Sequence, residues 1–329
     1  LTFRKEQRLI VLTGAAGFIG SCILAALNSA GRNDIVAVDH MDDDLKKENL
    51  KNKKFSQYLD KKEFIEFVSL DKLQPSVDCV IHMGACSSTI LQDAAYFEEN
   101  NFGYSRKIAE WCLHHKVKLI YASSAATYGD GAQGYHDDDA STRRCKPLNL
   151  YGKSKQKFDE WVLDHGAVDK FTGLKFFNVF GPNEYHKGEM RSLVAKAHER
   201  VVKEGKMGLF KSYKKEYADG EQKRDFIYVK DAVDVVMYFF SNPSLGGIYN
   251  VGTGKARSWN DLAHALFKAV GKKPIIEYIN MPEYMRAQYQ YFTQADMNKL
   301  RASGYQKSFT ELEDAVADYA GYLSRHAYL

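Results

Sequence analysis

The sequence predicts an α/β fold in which a doubly wound parallel sheet is joined to a smaller mixed α/β lobe. Three observations lead there. The first half alternates short β-branched runs with amphipathic stretches long enough to cross over a sheet face. A glycine-rich turn follows directly on the first of those runs. After about Phe180 the pattern loosens into Gly-, Lys- and Tyr-rich segments with short helices and strands and no Pro- or Ser-rich linker, so a second lobe is expected to be built against the first.

Leu9-Ile10-Val11-Leu12 reads as the first strand, and Asp34 to Asp39, Phe64 to Val68, Asp78 to His82 and Val117 to Ser123 as the next four. Phe18 to Ala30 and Tyr104 to His115 have the apolar spacing of crossover helices. Asp42-Asp43-Asp44 and Asp137-Asp138-Asp139 are expected to be solvated loops, and the residues before Arg8 a short arm disordered at the surface.

Composition excludes several classes of function. The 329 residues contain no apolar run near the ~18 residues of a membrane span. Leu1 to Lys5 lack a secretory signal, since charge returns at Glu6 and Arg8, and a cytoplasmic protein is expected. Cys22, Cys79, Cys86, Cys112 and Cys145 form an odd set without close pairs, which reads as reduced thiols, and no metal is assigned. The net charge of +4 comes from bases interspersed with acids, so nucleic acid is not an expected partner.

The first candidate site is Thr13-Gly14-Ala15-Ala16-Gly17-Phe18-Ile19-Gly20, a strand-to-helix turn with Gly-x-x-Gly-x-x-Gly spacing. Glycine permits the tight turn and lets a pyrophosphate approach the free N–H groups of the helix start. Gly14 and Gly17 fall on the phosphate side, and Gly20 allows close helix packing. Asp39, ending the second strand about 20 residues on, is placed for an adenosine ribose hydroxyl. That acid favours NAD, yet His40, Lys46 and Lys47 follow and can neutralise a 2′-phosphate, so the residues leave both cofactors open. A Rossmann-type dinucleotide domain over residues 1–180 is therefore expected, with residues 181–329 mainly the substrate-binding lobe and some segments returning to the first domain.

The second candidate is Tyr151-Gly152-Lys153-Ser154-Lys155. A Tyr and a Lys four apart share one face if this segment opens a helix. A phenol titrating near ~10 is a poor base at neutral pH, but a neighbouring ammonium favours the phenolate. Lys155 can also hold a nicotinamide ribose. Ser124 closes the fifth expected strand, at the carboxyl edge where active sites of open α/β sheets form, in position to hydrogen-bond a reacting oxygen. A Tyr-x-x-x-Lys pair alone is equally a solvated helix face, and a lone serine a loop cap. The chain order of glycine turn, Asp39, Ser124 and Tyr-x-x-x-Lys decides for chemistry.

Further segments carry a more specific likeness: Gly84-Ala85-Cys86-Ser87-Ser88-Thr89, Ala122 to Gly129, Phe177-Asn178-Val179-Phe180-Gly181-Pro182, His186-Lys187-Gly188, Lys223-Arg224-Asp225-Phe226 and Phe292-Thr293-Gln294-Ala295-Asp296. On these, nearly the whole chain resembles the extended short-chain dehydrogenase/reductase family, and within it the branch that epimerises ADP-heptose for lipopolysaccharide core synthesis. The resemblance implies an isomerase that converts ADP-D-glycero-β-D-manno-heptose to its L-glycero epimer at C6″, through transient oxidation to a carbonyl and hydride return from bound NADP. It makes Tyr151 and Lys187 opposed acid/bases, with Ser124 and Lys155 beside them. Without the family, Lys187 reads as a loop lysine.

By the same match, the cofactor is expected to meet Gly14, Gly17, Phe18, Ile19, Gly20, Asp39, His40, Lys46, Lys61, Met83, Gly84, Ala85, Cys86, Ser87, Asn100, Tyr151, Lys155, Val179 and Lys187. Lys46 and Lys61 are the candidates for a 2′-phosphate. The substrate is expected at Ser124, Asn178, Glu189, Lys196, Phe210, Lys211, Ser212, Arg224 and Tyr289, with Arg224 on the ADP pyrophosphate. A homo-oligomer, pentameric by the resemblance, is also implied.

The chain departs from the family pattern between Phe210 and Arg224, where a longer loop carries Lys211, Lys214 and Lys215. Other readings stay open. A UDP-sugar 4-epimerase shares the Ser, Tyr and Lys. A 4,6-dehydratase is disfavoured, because Ala125-Ala126 stand where that chemistry resembles an Asp-Glu pair. A non-catalytic dinucleotide-sensing protein is disfavoured by the presence of Ser124, Tyr151 and Lys155 together.

Overall fold

The computed structural model describes residues 8–73, 77–286 and 289–329; the arm expected before Arg8 lies outside them. Twelve strands are present among the described residues. In chain order they are β1 (Leu9–Thr13), β2 (Ile35–Asp39), β3 (Gln57–Asp60), β4 (Val77–His82), β5 (Lys118–Ser124), β6 (Thr172–Phe176), β7 (Asn178–Phe180), β8 (Met207–Phe210), β9 (Lys223–Tyr228), β10 (Gly247–Val251), β11 (Ala256–Ser258) and β12 (Ile276–Ile279).

Seven of them form one sheet in the order β10-β6-β5-β4-β1-β2-β3, every pair parallel. The strand order reverses beside β1, between β2 and β4, which is the switch point where α/β sheets open a ligand crevice. β1 is apolar from Leu9 to Leu12 because it is covered on both faces. Leu9 and Val11 pack with Phe64, Ile108, Trp111 and Phe158 on one side. Ile10 and Leu12 pack with Ile23, Leu27, Val236 and Phe239 on the other. That second cluster runs on without a break into Leu262, Leu266, Val316 and Tyr319, so the two halves of the chain share a core.

The second half adds two small sheets, β11-β9-β7 and β12-β8. It also carries four long helices, Leu193–Glu204, Val229–Ser241, Trp259–Ala269 and Leu312–Arg325, where short ones were expected. Their polar residues masked the pattern, since each buries only one stripe. In the last, Leu312, Ala315, Val316, Tyr319 and Ala320 are buried while Asp314, Asp318, Ser324 and Arg325 face out.

Two other expectations are corrected. Phe64 to Val68 lies in a helix, Lys61–Ser69, and the third strand is Gln57–Asp60. Asp60 caps that helix by accepting from the Lys62 amide, and Phe64 and Val68 are one turn apart on its buried face. The acidic runs are not mere solvated loops. Asp43 and Asp138 cap helices, and Asp137 is buried, its carboxylate accepting from the Asn250 amide at 2.7 Å. All five cysteines are free thiols, with only Cys86 partly exposed. Among the described residues no helix is long and apolar enough to cross a membrane.

Candidate active site

The turn after β1 is shaped by backbone crowding. Gly14 has φ +69°, and a Cβ there would lie 2.7 Å from the Gly84 nitrogen and 2.9 Å from the Met83 carbonyl carbon. Gly20 has no room either, because a Cβ would collide with the Gly14 carbonyl oxygen. Gly17 is the N-cap of helix Phe18–Ser29 and offers no side chain to its amides. Asp39 accepts from the Ala16 amide (2.8 Å) and its own neighbour His40 (2.7 Å), which ties the end of β2 to the turn. This strand–turn–helix start, with uncapped amides and no carboxylate in the first helical turn, fits an anionic diphosphate.

A second link closes the floor. His82, at the end of β4, bonds Thr13 Oγ1 through Nδ1 (2.6 Å) and Ser105 Oγ through Nε2 (2.8 Å). Burial, reinforced by the Lys155 charge, drives its pKa down to about 3 and keeps the ring neutral. Asn101, in a π-helical turn Glu98–Gly103, exchanges bonds with both the amide and the carbonyl of Cys86 (2.9 Å each) and donates to Ser154 Oγ (3.0 Å). The loop after β4 is thereby fastened to the helix that carries Tyr151.

That helix, Leu150–Asp164, starts where Asn149 accepts from the Gly152 amide at 2.8 Å. Gly152 lets it come close to the turn after β5, since a Cβ would meet the Ala126 oxygen at 2.7 Å. Ser124 and Tyr151 are neighbours as a result, and Lys155, one helical turn on, donates to the Ala122 carbonyl at 2.7 Å. Burial pushes the Lys155 ammonium down to about 8, against the pull of Asp159. Burial raises the Tyr151 phenol, opposed by the Ser124 hydroxyl. The lowering of the phenol expected from Lys155 is not found: desolvation dominates, and the group that opposes it is Ser124.

Lys187 arrives from the second half on the turn Tyr185–Met190, where Gly188 is left-handed. The turn is held by buried Glu184, which accepts from Ser192 N (2.6 Å), Ser192 Oγ (2.5 Å) and Tyr319 OH (2.9 Å). Lys187 Nζ stands 5.0 Å above the Phe18 ring, and burial lowers its pKa.

Two adjoining hollows of about 230 and 290 Å³ share Gly14, Asp39, Lys46, Gly84 and Ala85. The first is also lined by His40, Lys61, Cys86 and Asn100, with Lys61 Nζ donating to Asn100 Oδ1 at 2.8 Å. The second is lined by Gly17, Phe18, Ile19, Gly20, Met83, Ser87, Ser124, Tyr151, Lys155, Val179 and Lys187. Every residue expected at the cofactor, and every one expected in catalysis, therefore lines one or the other. Sequence reasoning missed Thr13, Asp42, Tyr96, Tyr104, Phe177 and His186, which line them too. Thr13, Phe177 and His186 had a signal, their places in the glycine turn, beside Asn178 and beside Lys187; the rest had none.

The residues expected at the substrate are less gathered. Arg224, on β9, is buried; its guanidinium lies 5.0 Å from the Tyr289 ring and 5.8 Å from that of Trp259, and Phe210 packs edge-on to Tyr289 at 6.5 Å. Arg224 donates to the Lys223 carbonyl and has no carboxylate partner among the described residues. Lys211 and Ser212 continue from Phe210, the latter held by Asp219 at 2.7 Å. Asn178 opens β7, next to β9. Glu189 and Lys196 are exposed, and Lys196 donates to the Glu189 carbonyl at 3.2 Å; among the described residues neither hydrogen-bonds to the Arg224 cluster.

A parallel sheet with this strand order, a glycine turn at its switch point and a Ser, Tyr and Lys at the adjoining strand end define a dinucleotide-dependent enzyme class. The chain belongs to the NAD dependent epimerase/dehydratase family, whose model matches residues 10–252. It is 51% identical over 311 residues to the ADP-L-glycero-D-manno-heptose-6-epimerase of Nitratidesulfovibrio vulgaris, covering 94% of this chain and 96% of that one. Its fold matches the Helicobacter pylori ADP-L-glycero-D-manno-heptose-6-epimerase with a TM-score of 0.81 at 27% identity, over 97% of each chain. The Bacillus cereus UDP-glucuronic acid 4-epimerase, solved with UDP-glucuronic acid and NAD, matches with a TM-score of 0.77 at 25% identity, over 97% of this chain and 99% of that one.

Proposed function

We propose that this chain interconverts the C6″ epimers of ADP-glycero-manno-heptose, with Tyr151 and Lys187 as the two acid/bases. The observation that carries this reading is that these two side chains, from different halves of the sequence, line one hollow beside the glycine turn. Inverting a carbinol needs a proton acceptor for one alcohol and a proton donor for the opposite one, because the hydrogen must return to the other face. When bound, the nicotinamide supplies the hydride chemistry by taking hydrogen from carbon and giving it back.

Each residue's environment suits its part. Tyr151 sits where Ser124 can hold the reacting oxygen, and Lys155, lowered to about 8, remains largely protonated at neutral pH and steadies a phenolate. Lys187, lowered by burial, loses and regains a proton more readily than a solvated lysine. Arg224, buried without a carboxylate partner among the described residues, is matched to a substrate diphosphate, and the aromatic rings around it to the nucleoside. On this reading residues 1–180 mainly hold the dinucleotide and residues 181–329 the sugar nucleotide.

For the cofactor we favour NADP. Asp39 is held by two amides at the turn, and Lys46, Lys61 and His40 line the same hollow as counter-charges for a 2′-phosphate, set against Asp39 and Asp42, which Lys46 bridges at 3.4 and 3.0 Å. The free thiols, four of them buried, fit a reducing cytoplasm.

The test is incubation of the purified protein with ADP-D-glycero-β-D-manno-heptose without added reductant. Appearance of the L-glycero epimer is expected, and Lys187→Met is expected to stop it. Turnover of UDP-galactose in place of the heptose would transfer the reading to a 4-epimerase.

A further inference from the structure

Directly beneath Ser124, Tyr151 and Lys155 lies an ion pair with no solvent exposure at all. Lys175, on β6, donates to Asp159 at 2.6 Å, and both side chains are 0% exposed. Asp159 also accepts from Tyr121 OH (3.0 Å) and Ser123 Oγ (2.6 Å), both on β5. Lys175 also donates to Thr127 Oγ1 (2.9 Å), and Thr127 in turn donates to the Ser124 carbonyl at 2.8 Å. Every bond from the pair therefore ends on residues 121–127, the segment that presents Ser124.

On the helix, Tyr151, Lys155 and Asp159 follow at four-residue intervals and share a face. Asp159 is thus the point at which the helix bearing the phenol and the ammonium is bolted to the strand end bearing the serine. A buried pair of this kind stabilises a fold little or not at all relative to a well-packed apolar pair. Its cost calls for another role, and its contacts indicate one.

We propose that Asp159 and Lys175 are positioning residues that register the Ser124 segment against the Tyr151–Lys155 helix and set the charge balance in which those two groups exchange protons. This rests on the assignment of Tyr151 and Lys155 given above. The carboxylate of Asp159 is felt at both: it raises Lys155 against the effect of burial, and it raises Tyr151 in the same direction as burial. The remaining titratable groups facing the site are His82 from β4, Cys86 from the loop after it, and Asp39, Lys46, His186 and Lys187, which line the same hollow. Tyr121, Tyr128 and Cys145 face the pair itself.

The experiment is the pH profile of kcat with ADP-D-glycero-β-D-manno-heptose for Asp159→Asn, a near-isosteric change. Removing the carboxylate favours the phenolate and disfavours the ammonium, so the acid and alkaline limbs are both expected to move to lower pH, by on the order of one unit. The maximum is expected to fall by up to about 100-fold from lost register. A structural residue would lower the maximum and leave the limbs in place, and that result in a folded variant overturns the proposal. If Asp159→Asn does not fold, Lys175→Gln removes the other charge of the pair, leaves the carboxylate uncompensated and is expected to move both limbs to higher pH, and limbs left in place in that folded variant overturn the proposal. Tyr151→Phe separates the two ideas: if it retains turnover, the base assignment fails, whereas if it abolishes turnover and the limbs of Asp159→Asn are unmoved, only the positioning role fails.

Discussion

Gly14→Ala adds one methyl group where the turn after β1 crosses the chain after β4. Two costs arise, and the structure separates them. A left-handed backbone at φ +69° costs a residue with a Cβ about 1–2 kcal/mol. The methyl would also lie 2.7 Å from the Gly84 nitrogen and 2.9 Å from the Gly84 Cα, main-chain atoms that cannot swing aside, which adds about 1–3 kcal/mol of overpacking. The sum is about 2–5 kcal/mol. Gly31→Ala is the internal control, since its φ is +78° but nothing lies within 4 Å of the added Cβ. It shares the backbone cost and the unfolded-state effect of a Gly-to-Ala change, so the difference between the variants isolates the wedge, about 1–3 kcal/mol. Equilibrium urea unfolding measures both, and titration with NADP and NAD shows whether the wedge also displaces Gly84 from the hollow. Equal destabilisation of the two variants with unchanged cofactor affinity would refute the close approach on which the site geometry rests.

Four other outcomes are expected. Arg224→Ala should raise KM far more than it lowers kcat, since its guanidinium is remote from the reacting carbon on the proposed reading; steady-state kinetics with the ADP-heptose checks this. Lys46→Ala should weaken NADP more than NAD, and an equal effect on both, measured by isothermal titration, would remove the case for a 2′-phosphate contact. His82 titrates near 6.5 when unfolded and about 3 when folded, so the unfolded chain binds the extra proton and stability is lost as pH falls from 6.5 towards 3. His82→Asn should therefore show a shallower fall of Tm between pH 6.5 and 4 than the parent chain. Light scattering should give a multiple of the 37.4 kDa chain mass, five-fold by family resemblance, and a monomer would remove the oligomer expectation.

Local features were readable from residue order alone. The glycine turn needs only a strand, three glycines and a helix in succession, and the Tyr151–Lys155 face needs only a four-residue interval. Where two local patterns compete, reading failed. Phe64-Ile65-Glu66-Phe67-Val68 suits a strand by composition, and its helical fate was set by the cap at Asp60 and by burial of Phe64 and Val68 on one side. Lys187 was legible only through the family motif, because a lysine in a loop carries no periodic signal of its own.

The chain's order of residues by itself determined the parallel sheet, the glycine turn and the placing of Tyr151 and Lys155 on one helix face, since each depends on neighbours within a few positions. Tertiary structure decided what depends on distance in sequence. It brought Lys187 and Tyr151 to one hollow, gathered Phe210, Arg224, Trp259 and Tyr289 into one cluster, buried Asp137 against Asn250, and joined Asp159 to Lys175 without solvent. The reason is that charge and desolvation depend on what surrounds a group in space. A carboxylate reads the same in a sequence whether it will face water or a lysine in a dry core.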